Sequence, residues 1–566
     1  MKELLERHHQ PPFGPAEPRH AATGPLRLAA GSAAARLARD MPSSLVSPSR
    51  RARAPPRRHE PLRAGRCHAH GLHAPHAGED DGMTESAGSE GGPQVGGRSV
   101  AHNTAALAAG TLAARIAMFG LGIVLARELG VDDYGRFGLG VALGTILVPL
   151  TDFGASSYLA RDVARSRERG EGQLPALIRV RLLSAGVGNI LAFAAVFLLV
   201  DDGKTEAAIM LALGAAAFDG LAQFGYGYFE GLERMDVEAK ARTLTSLVRA
   251  IGGIAIALTL GSLVAVLVWL LVVGVAQAAW SARLLQPVRR ALRGQKQPLP
   301  APTWRTVLAM GTVTIFVMIT LRADTVLIGA LQSEREVGWY TAAWTLMSGL
   351  QILPWTISVA LGPVFARTFW TDEAAYRRTW QQGLRAVLLI SLPMALLVSL
   401  LAGPVVGRLF GADYAPAVTA LAIVIWSLPL AALNSVATLA LRGAGRERTL
   451  TIVFGLGAIG NIGVNLWAIP RFGIDGAAAV NIGTEAAIFA GLMAMARHHR
   501  LVVALRLRLL RLLLALGVLA GLAVAIRDHV PVELALLVPT LGYGGVALVL
   551  GLVSREELRT LRPRRA

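Results

Sequence analysis

GLERMDVEAKARTLTSLVRAIGGIAIALTLGSLVA, residues 231–265, and GAGRERTLTIVFGLGAIGNIGVNLWAIPRFGIDGAA, residues 443–478, follow one pattern. Each opens on a glycine-containing turn that ends in an arginine, Gly231 to Arg234 and Gly443 to Arg446. Each then runs through an apolar helix to a second glycine, Gly261 or Gly473, so both landmarks recur at an offset of 212 residues. An earlier pair agrees: Tyr134-Gly-Arg-Phe137 leads to Pro149 and Arg161, and Val337-Gly-Trp-Tyr340 leads to Pro354 and Arg367, at offsets of 203 to 206. Self-similarity at fixed spacing is the sign of a duplicated architecture. An even number of helices per copy keeps both copies in the same orientation across a membrane. That arrangement suits a transporter whose substrate sits between two halves that rock against each other.

Outward from the repeat, the chain from residue 104 is a series of apolar stretches near the length needed to cross about 30 Å of hydrocarbon. We place fourteen spans at approximately 104–126, 136–157, 180–200, 205–229, 243–260, 262–282, 306–331, 339–365, 384–402, 415–441, 449–469, 474–496, 509–526 and 531–553. Only Leu260-Gly261-Ser262 divides the fifth from the sixth. The loops fix the orientation, because Lys and Arg collect on the cytoplasmic side. Alternate loops carry 33 and 7 basic residues. Arg179 and Arg181, between the second and third spans, belong to the basic set. Both termini are thus expected on the cytoplasmic side. The expected fold class is all-α and polytopic: two parallel six-helix bundles, MATE-like, plus two C-terminal helices. The corresponding divisions are an N-terminal tail at 1–103, a first bundle at 104–300, a second at 301–500, and the extra helices with a basic tail at 501–566.

Composition agrees. Of 566 residues, 53% are hydrophobic and 17% charged, and the mean hydropathy is +0.49, outside the range of ordinary soluble domains. The net charge of +18 would point to nucleic acid in a soluble protein. Here about +5 belongs to residues 1–82, and most of the rest lies on cytoplasmic loops facing anionic headgroups. No nucleic-acid partner is expected. Residues 1–82 hold eight of the twelve histidines and the only cysteine, Cys67, and have no apolar run long enough for a signal peptide or a span. They read as a disordered tail, with translation expected to start at Met83. Cys67-His-Ala-His70 with His73 and His76 offers a single thiolate in a Pro/Gly-rich context, so no metal site is assigned.

Ionisable residues within spans are costly, at least about 2.5–3.5 kcal/mol on insertion scales, and usually mark function. They are Arg115, Asp152, Asp219, Arg322, Asp324 and Glu485. Asp152, Asp219 and the nearby Arg249 sit close to cytoplasmic ends, where a structural role competes. Arg115 is too deep to snorkel easily. Arg322 and Asp324 stand two apart, about 200° around a helix, so each needs its own partner. Gly455-Leu-Gly-Ala-Ile-Gly460 matches a nucleotide-binding glycine pattern, yet it lies inside a span with no strand before it, so helix packing explains it. No P-loop occurs, and the external loops are too short to hold an enzyme's substrate domain. An enzyme is not expected, although Asp132-Asp133 looks like the acidic pair of membrane glycosyltransferases.

Several motifs together carry a family resemblance. Ala126-Arg-Glu-Leu-Gly130, Tyr134-Gly135, Asp152-Phe-Gly154 and Arg161 resemble the opening helices of polysaccharide (O-antigen type) lipid-linked oligosaccharide flippases. Arg322-x-Asp324, Val337-Gly-Trp-Tyr340-Thr-Ala-Ala343, Gly362-Pro363, Arg442-Gly443, Gly445-Arg446, Asn465, Ile469-Pro470 and Gly473-Ile-Asp-Gly-Ala-Ala478 continue it in the second half. The resemblance covers about residues 100 to 500. It implies the multidrug/oligosaccharidyl-lipid/polysaccharide exporter superfamily, with two six-helix bundles around a central cavity. It also implies movement of polyprenyl-diphosphate-linked sugars across the cytoplasmic membrane by alternating access. On that reading Arg115 and Arg322 are the phosphate contacts. Asp324, Asp152, Asp219 and Glu485 are the cavity or ion-coupling candidates, for H⁺ or Na⁺, and no cofactor or metal is implied. Polysaccharide polymerases or glycosyltransferases are the implied partners. The alternatives are a lipid II flippase, which also carries two extra C-terminal helices, and a drug/cation antiporter, against which two deep arginines count. A non-transporting scaffold of polysaccharide assembly would need a dedicated domain, and none is visible.

Overall fold

A computed structural model describes residues 97–291, 301–499, 501 and 508–552. The Cys67 cluster and the Met83 start lie outside them. The described residues are almost entirely helical, without strands. The first part of the chain forms α1 (Gly97–Asp152), α2 (Ala155–Arg165), α3 (Arg167–Leu199), α4 (Gly203–Gly231), α5 (Met235–Leu260), α6 (Leu263–Leu284) and the short α7 (Gln286–Ala291). The second part forms α8 (Ala301–Leu331), α9 (Glu334–Leu350), α10 (Ile352–Thr371), α11 (Glu373–Leu400), α12 (Ala402–Leu409), α13 (Ala417–Val424), α14 (Ser427–Gly443) and α15 (Glu447–His498). The chain closes with α16 (Leu509–Ile526) and α17 (Val532–Val549). Eleven described helices are long and apolar enough to cross a membrane, or twelve when α1 and α2, bent by 47°, count as one span. The protein is a multi-pass membrane protein.

Two expected loops are kinks instead. Gly130 (φ 78°, ψ 174°) breaks α1, and Gly473 (φ 57°, ψ −141°) breaks α15. Glycine tolerates these angles because it has no Cβ. The stretch predicted at 339–365 is divided at Gln351, between α9 and α10. The doubtful boundary at Leu260-Gly261-Ser262 separates two helices, with Gly261 left-handed and Ser262 capping α6 through the Ala265 N–H.

The repeat is written into the backbone. The Arg234 N–H donates to the Phe229 carbonyl and the Arg446 N–H to the Leu441 carbonyl, both at 2.9 Å. Those bonds close the C-termini of α4 and α14 in the six-to-one pattern that needs a left-handed residue. That residue is Glu233 (φ 60°) in the first copy and Gly445 (φ 68°) in the second. Gly261 and Gly473 share a positive φ, 55° and 57°, with different ψ, 27° and −141°. All these pairs are 212 residues apart.

Apolar side chains point outward, as bilayer solvation requires. Leu183, Ile190 and Leu191 of α3 and Leu456 and Ile459 of α15 are among the most exposed residues. Asp324, Asn461, Asn465 and Asn481 are buried. At one end of the bundle α1 and α9 meet through glycines, with Gly135 against the Glu334 carbonyl and Gly338 against the Val131 carbonyl. Bonds from Tyr134 Oη to Thr345 Oγ1 (2.9 Å) and from Thr205 Oγ1 to Glu334 Oε1 (3.1 Å) reinforce that seal. At the other end of the second span of α1, Gly154 faces Gly311 of α8 at backbone contact. The added helices are anchored at their basic end: Arg511, Arg508 and Arg385 donate to the carbonyls of Leu550, Gly551 and Leu552. Carbonyls at a helix C-terminus lack intrahelical donors and carry partial negative charge, which arginine satisfies.

Candidate functional site

Between the two seals lies a cavity of about 790 Å³, lined by α1, α4, α5 and α6 of the first part and α8, α9 and α10 of the second. Five charged residues line it: Arg115, Asp152, Asp219, Arg249 and Arg322. Glycines from both parts, Gly122, Gly144 and Gly220 of the first and Gly311 and Gly349 of the second, lie along its wall.

The charges fall into two kinds. Asp219 is held by Arg249 through both terminal guanidinium nitrogens, with Gln277 Oε1 3.4 Å from Nη2. That bidentate pair ties α4 to α5, the structural role weighed from its position. Asp152 accepts the Ser156 hydroxyl at 2.6 Å and the Ser156 N–H at 3.2 Å, which fastens α2 to the end of α1. Arg115 and Arg322 behave differently. Among the described residues neither makes a hydrogen bond or an ion pair. Each lies over an indole instead: the Arg115 guanidinium carbon is 4.3 Å from the Trp355 ring centroid, and that of Arg322 is 5.3 Å from Trp344. Cation–π contact offsets part of the cost of a desolvated guanidinium and leaves its N–H edge unoccupied.

Asp324 and Glu485 lie elsewhere, inside the second part, and do not line this cavity. Asp324 accepts from Tyr340 Oη, from the Thr325 N–H at 2.7 Å and from Asn481 Nδ2 at 3.4 Å. Glu485 accepts from Asn434 Nδ2 at 2.6 Å. Arg322 and Asp324 have separate partners, as their spacing requires.

Arg181 was read as a loop cation, and the structure corrects this. It is buried, 1% exposed, beside the Asp152 carboxylate. The signal was present in the sequence: Leu177, Arg181 and Ala185 stand four apart, and all three are buried on one face of α3. Trp344, Trp355, Tyr340 and Asn434 were also missed, because aromatic and amide residues within spans look like packing. Outside the spans, at the Gly135 seal, Asp202 caps α4. The Thr205 hydroxyl (2.6 Å) and N–H (3.0 Å) hold its carboxyl below the usual carboxylate range.

Comparison with known proteins matches this geometry. The chain fits the family model described as polysaccharide biosynthesis protein over residues 100–369, and the MatE model over 309–467. Among solved structures it is similar to the lipid II flippase MurJ in an inward closed conformation. That match has a TM-score of 0.64 and 14% identity and covers 80% of this chain and 100% of the other. It is also similar to an inward-facing multidrug resistance MATE family transporter of the MOP superfamily, with a TM-score of 0.57, 17% identity, and 69% and 95% coverage. The chain has the MOP superfamily fold. The two family models agree with the resemblance read from the sequence, and the cavity described above is lined from both copies of the repeat. A curated relative, an uncharacterized membrane protein of Methanocaldococcus jannaschii, is 31% identical over 114 residues, 19% of this chain and 22% of the relative.

Proposed function

We propose that the protein is a flippase that carries a polyprenyl-diphosphate-linked oligosaccharide across the cytoplasmic membrane by alternating access, for surface polysaccharide assembly. The observation that carries this reading is the pair of cavity arginines, Arg115 and Arg322, that have aromatic neighbours and, among the described residues, no acid within ion-pair distance. A lipid diphosphate brings two negative phosphates into a low-dielectric path, and a guanidinium is a permanent, forked match for phosphate oxygens. The two halves at 104–300 and 301–500 rock about the cavity, and 501–566 adds a helix pair. On this reading the kinked α1 and α15 count as two spans each, α9 joins α10 and α13 joins α14, making fourteen spans, and the basic loops place both termini on the cytoplasmic side. Asp324 and Glu485 are the proposed ion-coupling groups, for H⁺ or Na⁺. They are buried carboxylates off the substrate path, each held by an amide. Polymerases and glycosyltransferases of the same assembly line are the proposed partners.

The test is complementation of a deletion strain with Arg322→Ala. Export of surface polysaccharide should be abolished at normal protein level, and full retention would remove Arg322 from the mechanism. A second reading, a lipid II flippase, is favoured by the added helix pair and the likeness to MurJ. It predicts loss of peptidoglycan precursor export with surface polysaccharide unchanged.

A further inference from the structure

Two Arg–Asp pairs stand at the cavity, and their geometries differ. Arg249 and Asp219 form the closed bidentate pair described above. Arg181 and Asp152 do not. The only ion-pair approach is Arg181 Nε to Asp152 Oδ1 at 3.4 Å, well beyond the ~2.7–2.9 Å of a charge-assisted bond. The close contacts of Asp152 go to Ser156. Arg181 has one hydrogen bond, from Nη1 to Thr151 Oγ1 at 3.0 Å. Its Nε and Nη2 are buried and have no hydrogen-bond partner. A guanidinium presents five donors and no acceptor, and a buried donor left unsatisfied is costly. Such an arrangement persists where a ligand completes it.

The direction of the free edge is set by a glycine. Nη2 lies against Gly220 of α4, closer than a Cβ there would allow. Gly220 itself lines the cavity, as does Asp152. Nη2 stands where that side chain would be, so a wholly buried cation sits directly behind a residue of the cavity lining. Three arginines and two aspartates give the lining a net charge of +1, and Arg181 behind Gly220 raises it to +2.

We infer that Arg181 is a third oxyanion contact, reaching a phosphate group of the substrate past the bare backbone of Gly220. With Arg115 and Arg322 it makes the cavity select a diphosphate over a monophosphate. The inference rests on the flippase reading and deepens it by naming a residue that sets specificity. When the phosphate arrives, Nη2 and Nε donate to its oxygens, while Thr151 keeps the guanidinium plane fixed. Asp152, secured by Ser156, stays in place and limits how far Arg181 can follow the ligand.

The experiment uses the full-length protein in nanodiscs, with farnesyl diphosphate and farnesyl monophosphate as probes and isothermal calorimetry as readout. The expected result is a wild-type preference for the diphosphate. Arg181→Gln should weaken diphosphate binding about 10- to 100-fold, the range for losing one or two charge-assisted hydrogen bonds, and leave monophosphate binding within about threefold. Gly220→Ala should reproduce the loss, because a Cβ there would displace the Arg181 guanidinium. A merely structural role for Arg181 would weaken both probes together, and that outcome overturns the inference. Unchanged diphosphate binding in Arg181→Gln, with Arg322→Gln weakened, overturns it as well and leaves the flippase reading standing. Failure of the wild type to bind either probe overturns both.

Discussion

Replacing Gly135 by alanine tests whether the α1–α9 seal is the outer gate. A Cβ at this position would stand 2.8 Å from the Glu334 carbonyl carbon and 2.9 Å from the Gly338 nitrogen, and closer still to the Glu334 oxygen. These obstacles are backbone, so no rotamer change relieves them. The helices must separate by about 1.5 Å before the methyl reaches ordinary contact with the Glu334 oxygen. Overpacking of this kind typically costs about 1–3 kcal/mol. The cost applies only to the sealed state, since a parted gate leaves the methyl free. At 1.4 kcal/mol per decade, the ratio of open to sealed molecules should rise about 5- to 150-fold. The measurement is the rate at which a membrane-impermeant maleimide added outside intact cells labels a cysteine placed in the cavity. Ser348, which lines the cavity and bonds only within its own helix turn, is a suitable position. Cys67 is the chain's single cysteine, so Cys67→Ser gives a clean background. Gly138→Ala is the internal control: there the obstacle is the Thr341 side chain, which can turn away, so its effect should be smaller. Unchanged labelling in Gly135→Ala, with thermal stability also unchanged, would refute the argument that backbone proximity at this seal holds the cavity closed to the outside.

Other expectations follow from the same geometry. Glu233→Gly should raise the apparent melting temperature in detergent by a degree or two, because a left-handed L-residue costs about 1–2 kcal/mol and glycine regains part of that. Gly445→Ala, at the equivalent turn, should lower it by a similar amount, and equal signs for the two would sink the account of the repeat. Hydrogen bonds from Thr205 lower the pKa of Asp202 in the folded state. Its contribution is therefore present above the unfolded carboxylate pKa near 4 and is lost as pH falls through the lower folded value. A melting curve followed from pH 6 down to pH 3 should show a smaller acid-side decline in Asp202→Asn than in the parent. Trp355→Ala should weaken diphosphate binding more than Trp355→Phe does, since phenylalanine keeps a ring face for Arg115; equal losses would remove the cation–π contact from the site.

How much of this could be read from the chain alone depended on whether a feature is periodic or particular. Span positions, the repeat and the boundary at Gly261 rest on hydropathy and glycine spacing, and these survive folding because every span meets the same lipid. The kinks at Gly130 and Gly473 were hidden, because a short polar-and-glycine stretch reads as a loop whether or not the helix resumes immediately. Depth in the membrane brought out Arg115, Asp152, Asp219 and Arg322, all of which line the cavity. The same criterion gathered Asp324 and Glu485, whose carboxylates point into a different polar core formed by Tyr340, Asn481 and Asn434. Depth reports cost without saying which neighbour meets it. Arg181 slipped into the basic-loop count because it stands at the first turn of a span, where position says loop and only the burial stripe of α3 says otherwise.

Partnership is therefore the better criterion for a site in this molecule. Burying an ion is strongly unfavourable until it finds an opposite charge or a full set of hydrogen bonds. Arg249 meets that demand with Asp219 and needs nothing further. Arg115 and Arg322 meet it only in part, through indole faces, and Arg181 through one hydroxyl and a loose carboxylate. The protein thus holds three guanidinium groups around one cavity in a state that an incoming oxyanion would relieve. An empty cavity of this kind resists collapse onto apolar lipid tails, since that would strip the arginines of any remaining water. On the flippase reading it would accept a charged headgroup, since that completes them. The same reasoning separates the competing functions by charge: a cationic drug would meet guanidinium groups with no free acid beside them, whereas a lipid diphosphate would meet unfilled donors.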